Sequence, residues 1–205
     1  MSDLDNLFSA DPVALFQSWM KEAEAAKLTE PNAMTLSTIG DDGFPHARIV
    51  YLKGMEKDGF EFYTNYKSHK GLELLKNPNA SLLFFWPGLG GSLGKQVRIE
   101  GTVHKLTAAQ SDAYFATRAR GSQIGAWASE QSHPLKSRTD LETRVQDLEK
   151  KYAGQPVPRP PHWGGYGLTP VRFEFWIGRD SRLHDRCVYE KRSGAATWSR
   201  TRLFP

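Results

Sequence analysis

The chain has 205 residues, enough for one large domain or two small ones, and either could bury a substantial core. Its 27 Lys and Arg against 23 Asp and Glu leave a formal net charge of +4, without the basic block or tail that grips a nucleic-acid backbone. One cysteine, an acidic N-terminus without a signal-type apolar core and no apolar run of roughly 20 residues favour a soluble cytoplasmic domain over residues 1–205 that binds no membrane.

The first half of the chain predicts a helix followed by strands. Asp11 is a good N-cap and Pro12 suits the first turn, so we predict a helix to Ala26, with residues 1–10 before it disordered. Alternating or continuous apolar residues predict strands over 33–39, 46–53, 60–66, 80–86 and 95–105. The first two are expected to form a hairpin and the third to continue the meander, while Ser68 caps a short helix.

The second half alternates between helices and strands. Amphipathic patterns predict helices over 107–119, 123–129 and 137–152, and strands over 171–178, 183–191 and 196–203. Four prolines within residues 156–161 predict a stiff extended connector between these two groups. The pattern indicates an α+β fold that is mainly antiparallel β, most simply a barrel-like sheet with peripheral helices.

Several familiar motifs are incomplete. Residues 88–96 look like a phosphate loop, but Leu89 and Gln96 stand where a P-loop needs Gly and Ser or Thr, so a hairpin is the better interpretation. His184 and Cys187 have no metal-ligand spacing with other residues, and we expect no metal. The chain also lacks the G-x-S-x-G turn that exposes a hydrolase nucleophile.

The segment near the end of the chain is rich in groups that bind anions and rings. Glu174-Phe175-Trp176 is followed by Arg182-Leu183-His184-Asp185-Arg186. A guanidinium grips phosphate with two donors and an indole offers a flat face, so the pair suits a phosphorylated ring. The same residues would also fit an amphipathic strand with Trp packed inward and Arg solvated.

Further cations occur in the first half and in the middle of the chain. Arg48 and Lys53 end an apolar strand-like run and face opposite sides of it, and Lys70 starts a probable helix. Tyr114, Arg118 and Ser122 form a separate group of hydroxyls and a guanidinium. These positions predict two anion sites.

Ordered sequence blocks extend these observations over nearly the whole chain. They are 48–53, 63–65, 96–97, 114–118, 122–127, 131–132, 163–165, 174–176 and 182–186. Through them the chain closely resembles the pyridoxine (pyridoxamine) 5′-phosphate oxidases, from about Asp11 to Pro205. The resemblance implies an FMN-binding split β-barrel, a homodimer with FMN at the subunit interface. It also implies oxidation of pyridoxine or pyridoxamine 5′-phosphate, a small phosphorylated pyridine, to pyridoxal 5′-phosphate, with O2 reduced to H2O2.

The resemblance also implies roles for residues at matching positions. Those expected at FMN are Arg48, Ile49, Val50, Tyr51, Leu52, Lys53, Tyr63, Thr64, Lys70, Gln96, Gln131, Ser132, Trp176 and Arg186. Those expected at the substrate are Lys53, Tyr114, Arg118, Ser122, Arg182, Leu183 and His184. Arg182 and His184 are the expected catalytic pair on the C-terminal strands of residues 171–205, with His184 either a base or an orienting group.

Other interpretations stay open. His69 stands where the family usually has Arg, residues 88–94 are longer, and the arm before the first helix is short. A flavoprotein that oxidises another ring, such as a phenazine precursor, and a non-catalytic FMN-binding protein are the alternatives. Trp127 and Trp163 are expected to be packing aromatics, and Asp185 to orient Arg186 or nearby backbone, while Glu174 is either solvated or a partner of arginines.

Overall fold

The computed structural model describes residues 8–56, 59–91, 93–191 and 197–205. Helix α1, Pro12–Ala25, begins as predicted, because the Asp11 side chain accepts a hydrogen bond from the Val13 N–H at 2.9 Å and proline occupies the first turn. One face of α1 buries Phe16 and Trp19 against the sheet. No helix within the described ranges combines the length and apolarity needed to cross a bilayer.

Four further helices lie outside the sheet in the described part of the chain. They are α2 (His69–Lys76), α3 (Ala108–Thr117), α4 (Arg120–Ala128) and α5 (Arg138–Lys151). Ser68 accepts a hydrogen bond from the Gly71 N–H and so caps α2, while Thr107 and Gln110 form a capping box at α3. Helices α3 to α5 interrupt the strands at one point of the sequence, which gathers them beside one part of the sheet.

The strands of the described residues form one antiparallel sheet. They are β1 (Ala33–Ile39), β2 (Pro45–Tyr51), β3 (Gly54–Glu56), β4 (Gly59–Asn65), β5 (Asn79–Pro87), β6 (Gly94–Lys105), β7 (Trp163–Ile177), β8 (Asp185–Glu190) and β9 (Ser199–Leu203). Their order is β2-β1-β5-β6-β7-β4-β3, with β8 on β7 and β9 on β8. The sheet curls into a half-barrel, which confirms the predicted mainly antiparallel α+β fold.

Strand β7 organises the sheet, because its first half pairs with β4 and its second half with β8, while β6 runs along most of its length. The core on the concave side includes edge-to-face contacts of Phe16 with Phe60 and Phe84, at centroid distances of 5.0 and 4.9 Å. A second apolar cluster, which includes Phe115, Ile124 and Trp163, joins helices α3 and α4 to the start of β7.

Several predicted boundaries and one predicted pairing differ from the structure. The strand over 60–66 was expected to continue the meander, but β4 pairs with β7 and with the short β3, which the sequence did not indicate. β7 starts at Trp163 rather than at residue 171. The sequence did not indicate the first half of this strand because glycine has a low strand propensity, and close packing holds these glycines in the strand. β8 starts at Asp185, because Leu183 and His184 lie in the preceding turn.

The ends of the described chain meet. Phe8 is fully buried, its carbonyl accepts a hydrogen bond from Arg200, and the Ser9 carbonyl accepts one from the Tyr189 hydroxyl at 2.5 Å. Residues 8–10 are therefore held against β8 and β9, whereas the rest of the predicted disordered segment and Ala196 of the predicted last strand lie outside the described residues.

Candidate functional site

A cavity of about 560 Å³ lies where the end of β2, strand β4 and helices α2 to α4 come together. Its lining residues are Ile49, Val50, Tyr51, Lys53, Tyr63, Thr64, Lys70, Tyr114, Arg118, Ala119, Ser122, Gln131 and Trp163. Three of these carry positive charge and none is a carboxylate, so the cavity selects anions. The groups around Lys70 and around Arg118, predicted as separate anion sites, share this one cavity.

Lys70 lies in the first turn of α2 and is only 9% exposed. Its Nζ lies 3.1 Å from Gln131 Oε1 and 3.4 Å from Thr64 Oγ1, both of them neutral acceptors. Burial, and then the charge of Arg48, lower the pKa of Lys70 below its usual value. Thr64 and Gln131 thus lie beside the Lys70 ammonium group. A bound anion would stabilise the charge of this group.

Arg118 follows α3 and faces the same cavity. Its guanidinium lies 4.5 Å from the ring centre of Trp163 and 5.7 Å from that of Phe115. Nη1 is buried without a hydrogen-bond partner, and burial lowers the pKa of Arg118. A buried guanidinium nitrogen without an acceptor is costly, so this group is arranged to meet an anion from the cavity.

Aromatic rings form one wall of the cavity. Tyr63 and Tyr114 stack with centroids 3.9 Å apart, and Trp163 lies nearly parallel to both, at 5.6 and 6.2 Å. A side chain at Gly165 would have its Cβ 2.7 Å from Cε1 of Tyr63, so glycine allows the Tyr63 ring to lie over the strand. The packing role predicted for Trp163 is confirmed, and the residue also lines the cavity.

Arg48 lies behind the cavity and does not line it. Its Nη2 is 3.2 Å from Glu73 Oε2, and its Nη1 donates to the Leu36 carbonyl and to Thr38. Glu73 also lies 2.6 Å from His46 Nδ1. Burial disfavours its charge, but hydrogen bonds from Thr38 and His46 and the charge of Arg48 hold the pKa of Glu73 below its usual value.

Sequence reasoning missed this carboxylate. Glu73 follows Lys70 by three positions and therefore shares its face of α2, which was the signal available in the sequence. The strand residues that bind Glu73 come from β1 and β2, and only the folded chain shows their approach.

A second group of predicted site residues lies near the other end of β7. Gln96 pairs with Trp176, Trp176 pairs with Arg186, and the Trp176 ring centre lies 4.6 Å from that of His184. Arg182 occupies a short turn in which both it and Ser181 have positive φ, of 62° and 56°. Non-glycine residues rarely adopt this strained conformation, which is enriched at functional sites.

The second group does not line the cavity: its members are Gln96, Trp176, Arg182, Leu183, His184 and Arg186. Trp163 is the first residue of β7, and Trp176 is next to its last. The length of this strand keeps the two groups apart within one chain. Leu183 is 70% exposed, so its side chain is available to a partner surface.

Glu174 resolves a question that the sequence left open. It is only 4% exposed and is a partner of arginines, with Arg98 at 2.6 Å and Arg186 at 2.7 Å. Asp185 does not orient Arg186 as predicted. It instead pairs with Arg179 at 2.7 Å, because Arg186 is turned towards Glu174 on the neighbouring strand.

The remaining predicted positions are dispersed around the cavity. Leu52 is buried beside it without lining it, and Ser132 has a φ of 74° in the adjoining turn. Trp127 packs as predicted, since its indole N–H donates to the Pro158 carbonyl at 2.7 Å. No cluster of three or more metal-ligating side chains occurs among the residues that the structure describes.

The cavity fits the flavin that the sequence resemblance implies. A phosphate requires cations and hydroxyl donors, which Lys70 and Thr64 supply, and a planar ring requires a flat apolar wall, which the stacked tyrosines supply. The unpartnered Nη1 of Arg118 remains for a second anion.

Comparison with known proteins gives consistent matches over the chain. Residues 20–152 match the family described as pyridoxamine 5′-phosphate oxidase, and residues 163–205 match the pyridoxine 5′-phosphate oxidase C-terminal dimerisation region. Similar curated proteins include the pyridoxine/pyridoxamine 5′-phosphate oxidases of Cupriavidus metallidurans and Rubrobacter xylanophilus. The first is 55% identical and covers 95% of this chain and 89% of the relative, and the second is 53% identical and covers 95% and 87%.

Similar solved structures include two that cover nearly the whole chain or all of it. PhzG from Burkholderia lata, in complex with tetrahydrophenazine-1-carboxylic acid, has a TM-score of 0.89 and 30% identity, covering 100% of this chain and 98% of that one. A pyridoxamine 5′-phosphate oxidase-related, FMN binding protein from Nostoc punctiforme has a TM-score of 0.73 and 17% identity, covering 96% and 99%. The second match shows the shared fold alone.

Proposed function

The chain belongs to the pyridoxamine 5′-phosphate oxidase family, and we propose that it uses FMN to oxidise pyridoxamine or pyridoxine 5′-phosphate to pyridoxal 5′-phosphate, with O2 as the acceptor. One observation carries the choice of a phosphorylated substrate. Arg118 has a buried guanidinium nitrogen without a partner, in a cavity lined by cations and by no carboxylate. Lys53, Tyr114 and Ser122 line the same cavity and provide further donors to a phosphate.

The FMN phosphate is assigned to the Lys70 side of the cavity, with Thr64 and Gln131 beside it. Held by Lys70, Thr64 and Gln131, FMN would supply the hydride acceptor for the substrate carbon and the route by which the electrons reach O2. The residues of the chain bind and orient the two reactants: Lys70 and Arg118 hold their phosphates, and Tyr63 bounds the space for the rings. Cations fixed before the reaction stabilise growing negative charge without reorganising.

We assign the completion of the site to a homodimer, with FMN at the interface. Two observations support it. The groups at the two ends of β7 lie apart within one chain, and the C-terminal segment that carries all of the second group except Gln96 matches a dimerisation region. In this proposal a second copy brings its own β7 and β8 ends over the cavity, and two-fold symmetry then completes both sites of the dimer in the same way.

Arg182 and His184 have distinct proposed roles. Arg182 is exposed on a strained turn, where its guanidinium is available to position and polarise a substrate. His184 Nδ1 accepts a hydrogen bond from the Arg179 backbone N–H at 3.1 Å, so neutral His184 carries its proton on Nε2. This tautomer favours His184 as a hydrogen-bond donor that orients the substrate, rather than as a base at Nε2.

The second candidate is oxidation of a carboxylated, phenazine-type ring, which the similarity to PhzG favours. The curated relatives with 51–55% identity and the cationic cavity favour the phosphorylated pyridine.

Purified protein loaded with FMN should lose its yellow colour when pyridoxamine 5′-phosphate is added without oxygen, and should form H2O2 when air is admitted. Bleaching by a dihydrophenazine carboxylate alone would select the second candidate, and bleaching by neither would indicate a flavin-binding protein without this activity.

A further inference from the structure

Arg118 is held in the cavity by a ring rather than by an acid. Its guanidinium lies 4.5 Å from the ring centre of Trp163, within the range of a cation–π contact. Among the described residues, no carboxylate forms an ion pair with Arg118, and its Nη1 lacks any hydrogen-bond partner. The indole face is therefore the main feature of this structure that fixes the orientation of the charged group.

A ring face has a specific advantage at an anion site. A carboxylate partner would orient Arg118 equally well, but it would neutralise the charge and occupy the planar donors that a phosphate needs. The indole face attracts the guanidinium through its quadrupole and leaves the N–H groups at the edge of the plane free. Arg118 is thus oriented while its full charge remains available to the ligand.

Trp163 is itself held firmly. Its backbone N–H donates to the Pro160 carbonyl at 3.1 Å, and its own carbonyl accepts a hydrogen bond from Arg159 Nη1 at 2.6 Å. The indole is 6% exposed and is stacked with Tyr63 and packed edge-on by Phe115. Because Trp163 is fixed by both backbone and ring contacts, its indole is a rigid support for the Arg118 guanidinium.

We propose that Trp163 is a positioning residue that acts through Arg118 to set the affinity for the phosphorylated substrate. This inference rests on the proposed function, because it takes Arg118 to be the ligand of the substrate phosphate. Trp163 touches the guanidinium and carries no role in the redox step or in binding the FMN phosphate, which lies on the Lys70 side of the cavity.

The test is a double-mutant cycle on the FMN-loaded protein, with pyridoxal 5′-phosphate as the binding probe in calorimetry. Trp163→Leu should weaken binding roughly 5- to 30-fold and raise KM for pyridoxamine 5′-phosphate similarly, with kcat per bound flavin changing much less. Trp163→Phe should recover part of the loss, because it retains an aromatic face. In an Arg118→Ala background, Trp163→Leu should add almost nothing.

The matched control is Trp127→Leu, which removes another indole from the same apolar cluster but leaves the Arg118 contact intact. It should leave binding of pyridoxal 5′-phosphate unchanged. The inference is overturned if Trp163→Leu binds the probe as tightly as the unmodified protein, or if its effect adds fully to that of Arg118→Ala. If Trp163→Leu does not fold, Trp163→Met, which also removes the aromatic face, takes its place in the same cycle with the same criteria.

The binding measurement separates this inference from the proposed activity. If the unmodified protein binds pyridoxal 5′-phosphate but is never bleached by pyridoxamine 5′-phosphate, the proposed oxidase activity fails and the role of Trp163 is still decided by the cycle. If the unmodified protein does not bind the phosphorylated probe at all, the inference is overturned.

Discussion

Glu174 Oε1 accepts hydrogen bonds from both Nε and Nη2 of Arg186, at 3.0 and 2.7 Å, across the β7–β8 pair. The remaining Nη1 of Arg186 donates to the Phe204 carbonyl at 3.0 Å. All three nitrogens of the Arg186 guanidinium are therefore hydrogen-bonded within the protein before any ligand binds. Arg98 and Arg172 also pair with Glu174, so one buried carboxylate holds three arginines.

Glu174→Gln should destabilise the fold. The substitution keeps the shape of the side chain but leaves three neighbouring guanidiniums without their shared negative charge. Because those arginines are partly exposed and can be hydrated, we expect a loss of about 1–3 kcal/mol in the free energy of unfolding, measured with urea. Glu190→Gln is the control, since Glu190 is exposed and lies 3.4 Å from Arg172, and it should cost less than about 0.5 kcal/mol. Equal losses in the two variants would contradict the special role of Glu174.

Arg182→Ala and Arg186→Ala should separate catalysis from flavin binding. Arg182 is exposed on its strained turn, so its removal should lower turnover more than FMN content. Arg186 is built into the strand pair by Glu174, so its removal should lower FMN content more than the turnover of the FMN-loaded fraction. Flavin absorbance per protein and kcat per bound flavin measure the two effects. Equal loss of flavin in both variants would reject this division of roles.

The ion pair of His46 with Glu73 should make stability depend on pH. The hydrogen bond to Glu73 raises the pKa of His46 above 6.5, despite the opposing effect of desolvation, whereas that of Glu73 lies below 4.5. Both groups are charged between these values, so the pair stabilises the fold at pH 5.5 and its contribution is lost as pH rises through the raised pKa of His46. Asp42, at 3.7 Å, and Arg48 also face this pair and act in opposite directions on His46.

The measurement is the difference in urea unfolding free energy between the unmodified protein and His46→Gln. This difference should be larger at pH 5.5 than at pH 8.5. His104→Gln is the control, because no ion pair of His104 is present among the described residues, and it shows the effect of removing an imidazole alone. An equal difference for His46→Gln at both pH values would show that its charge does not matter.

The order of strands along the sequence could be predicted better than their arrangement in the sheet. The caps at Asp11 and Ser68 and the alternation of β1 and β2 act over a few residues, and the predicted elements appear where those signals stand. The pairing of β4 with β7 joins residues about a hundred positions apart, such as Phe60 and Leu168, and no local pattern encodes it.

The candidate site shows the same difference between features that the sequence could predict and features that only the folded chain reveals. Residue types and family blocks predicted Lys70, Gln131, Tyr114 and Arg118, and the structure brings them to one cavity. The supporting carboxylates could not be settled from the sequence. Glu174 was left as either solvated or a partner of arginines, and Glu73 was missed, because only folding places the arginines against them. The glycines near the start of β7 concealed the strand for a related reason: Gly165 is required by the Tyr63 ring and Gly164 by the Tyr66 hydroxyl, and both tyrosines are distant in the sequence.

The binding of FMN should weaken at alkaline pH through Lys70. Burial, and then the charge of Arg48, lower the pKa of this lysine below 10.5, although Glu73 opposes the shift. An anion benefits from the charge only while Lys70 is protonated, so affinity should fall as pH rises through that lowered pKa. Lys70→Arg should move the fall to higher pH, because guanidinium does not titrate in this range. Fluorescence titration with FMN measures the affinity of the unmodified protein and of Lys70→Arg as a function of pH. If the affinity of both fell over the same alkaline pH range, Lys70 would be excluded as the titrating group.

Gly165→Ala should test whether the aromatic wall is needed for the site. The added Cβ would lie 2.7 Å from Tyr63 Cε1 and 2.6 Å from Leu106 Cδ1, so both side chains must shift, which disturbs the stacking of Tyr63 with Tyr114 and Trp163. Such overpacking costs about 1–3 kcal/mol of stability, and the displaced ring narrows the space for the flavin. We therefore expect both a lower unfolding free energy and weaker FMN binding.

The matched control is Gly125→Ala, in helix α4, where a Cβ meets nothing within 4 Å. Alanine at an open helical position should raise the unfolding free energy by about 0.5–1 kcal/mol and leave FMN affinity unchanged. The two variants add the same methyl group, so their opposite effects would arise from the location alone. If Gly165→Ala bound FMN as tightly as Gly125→Ala, the position of Tyr63 would not limit the cavity, and the stacked wall would serve stability without shaping the ligand site.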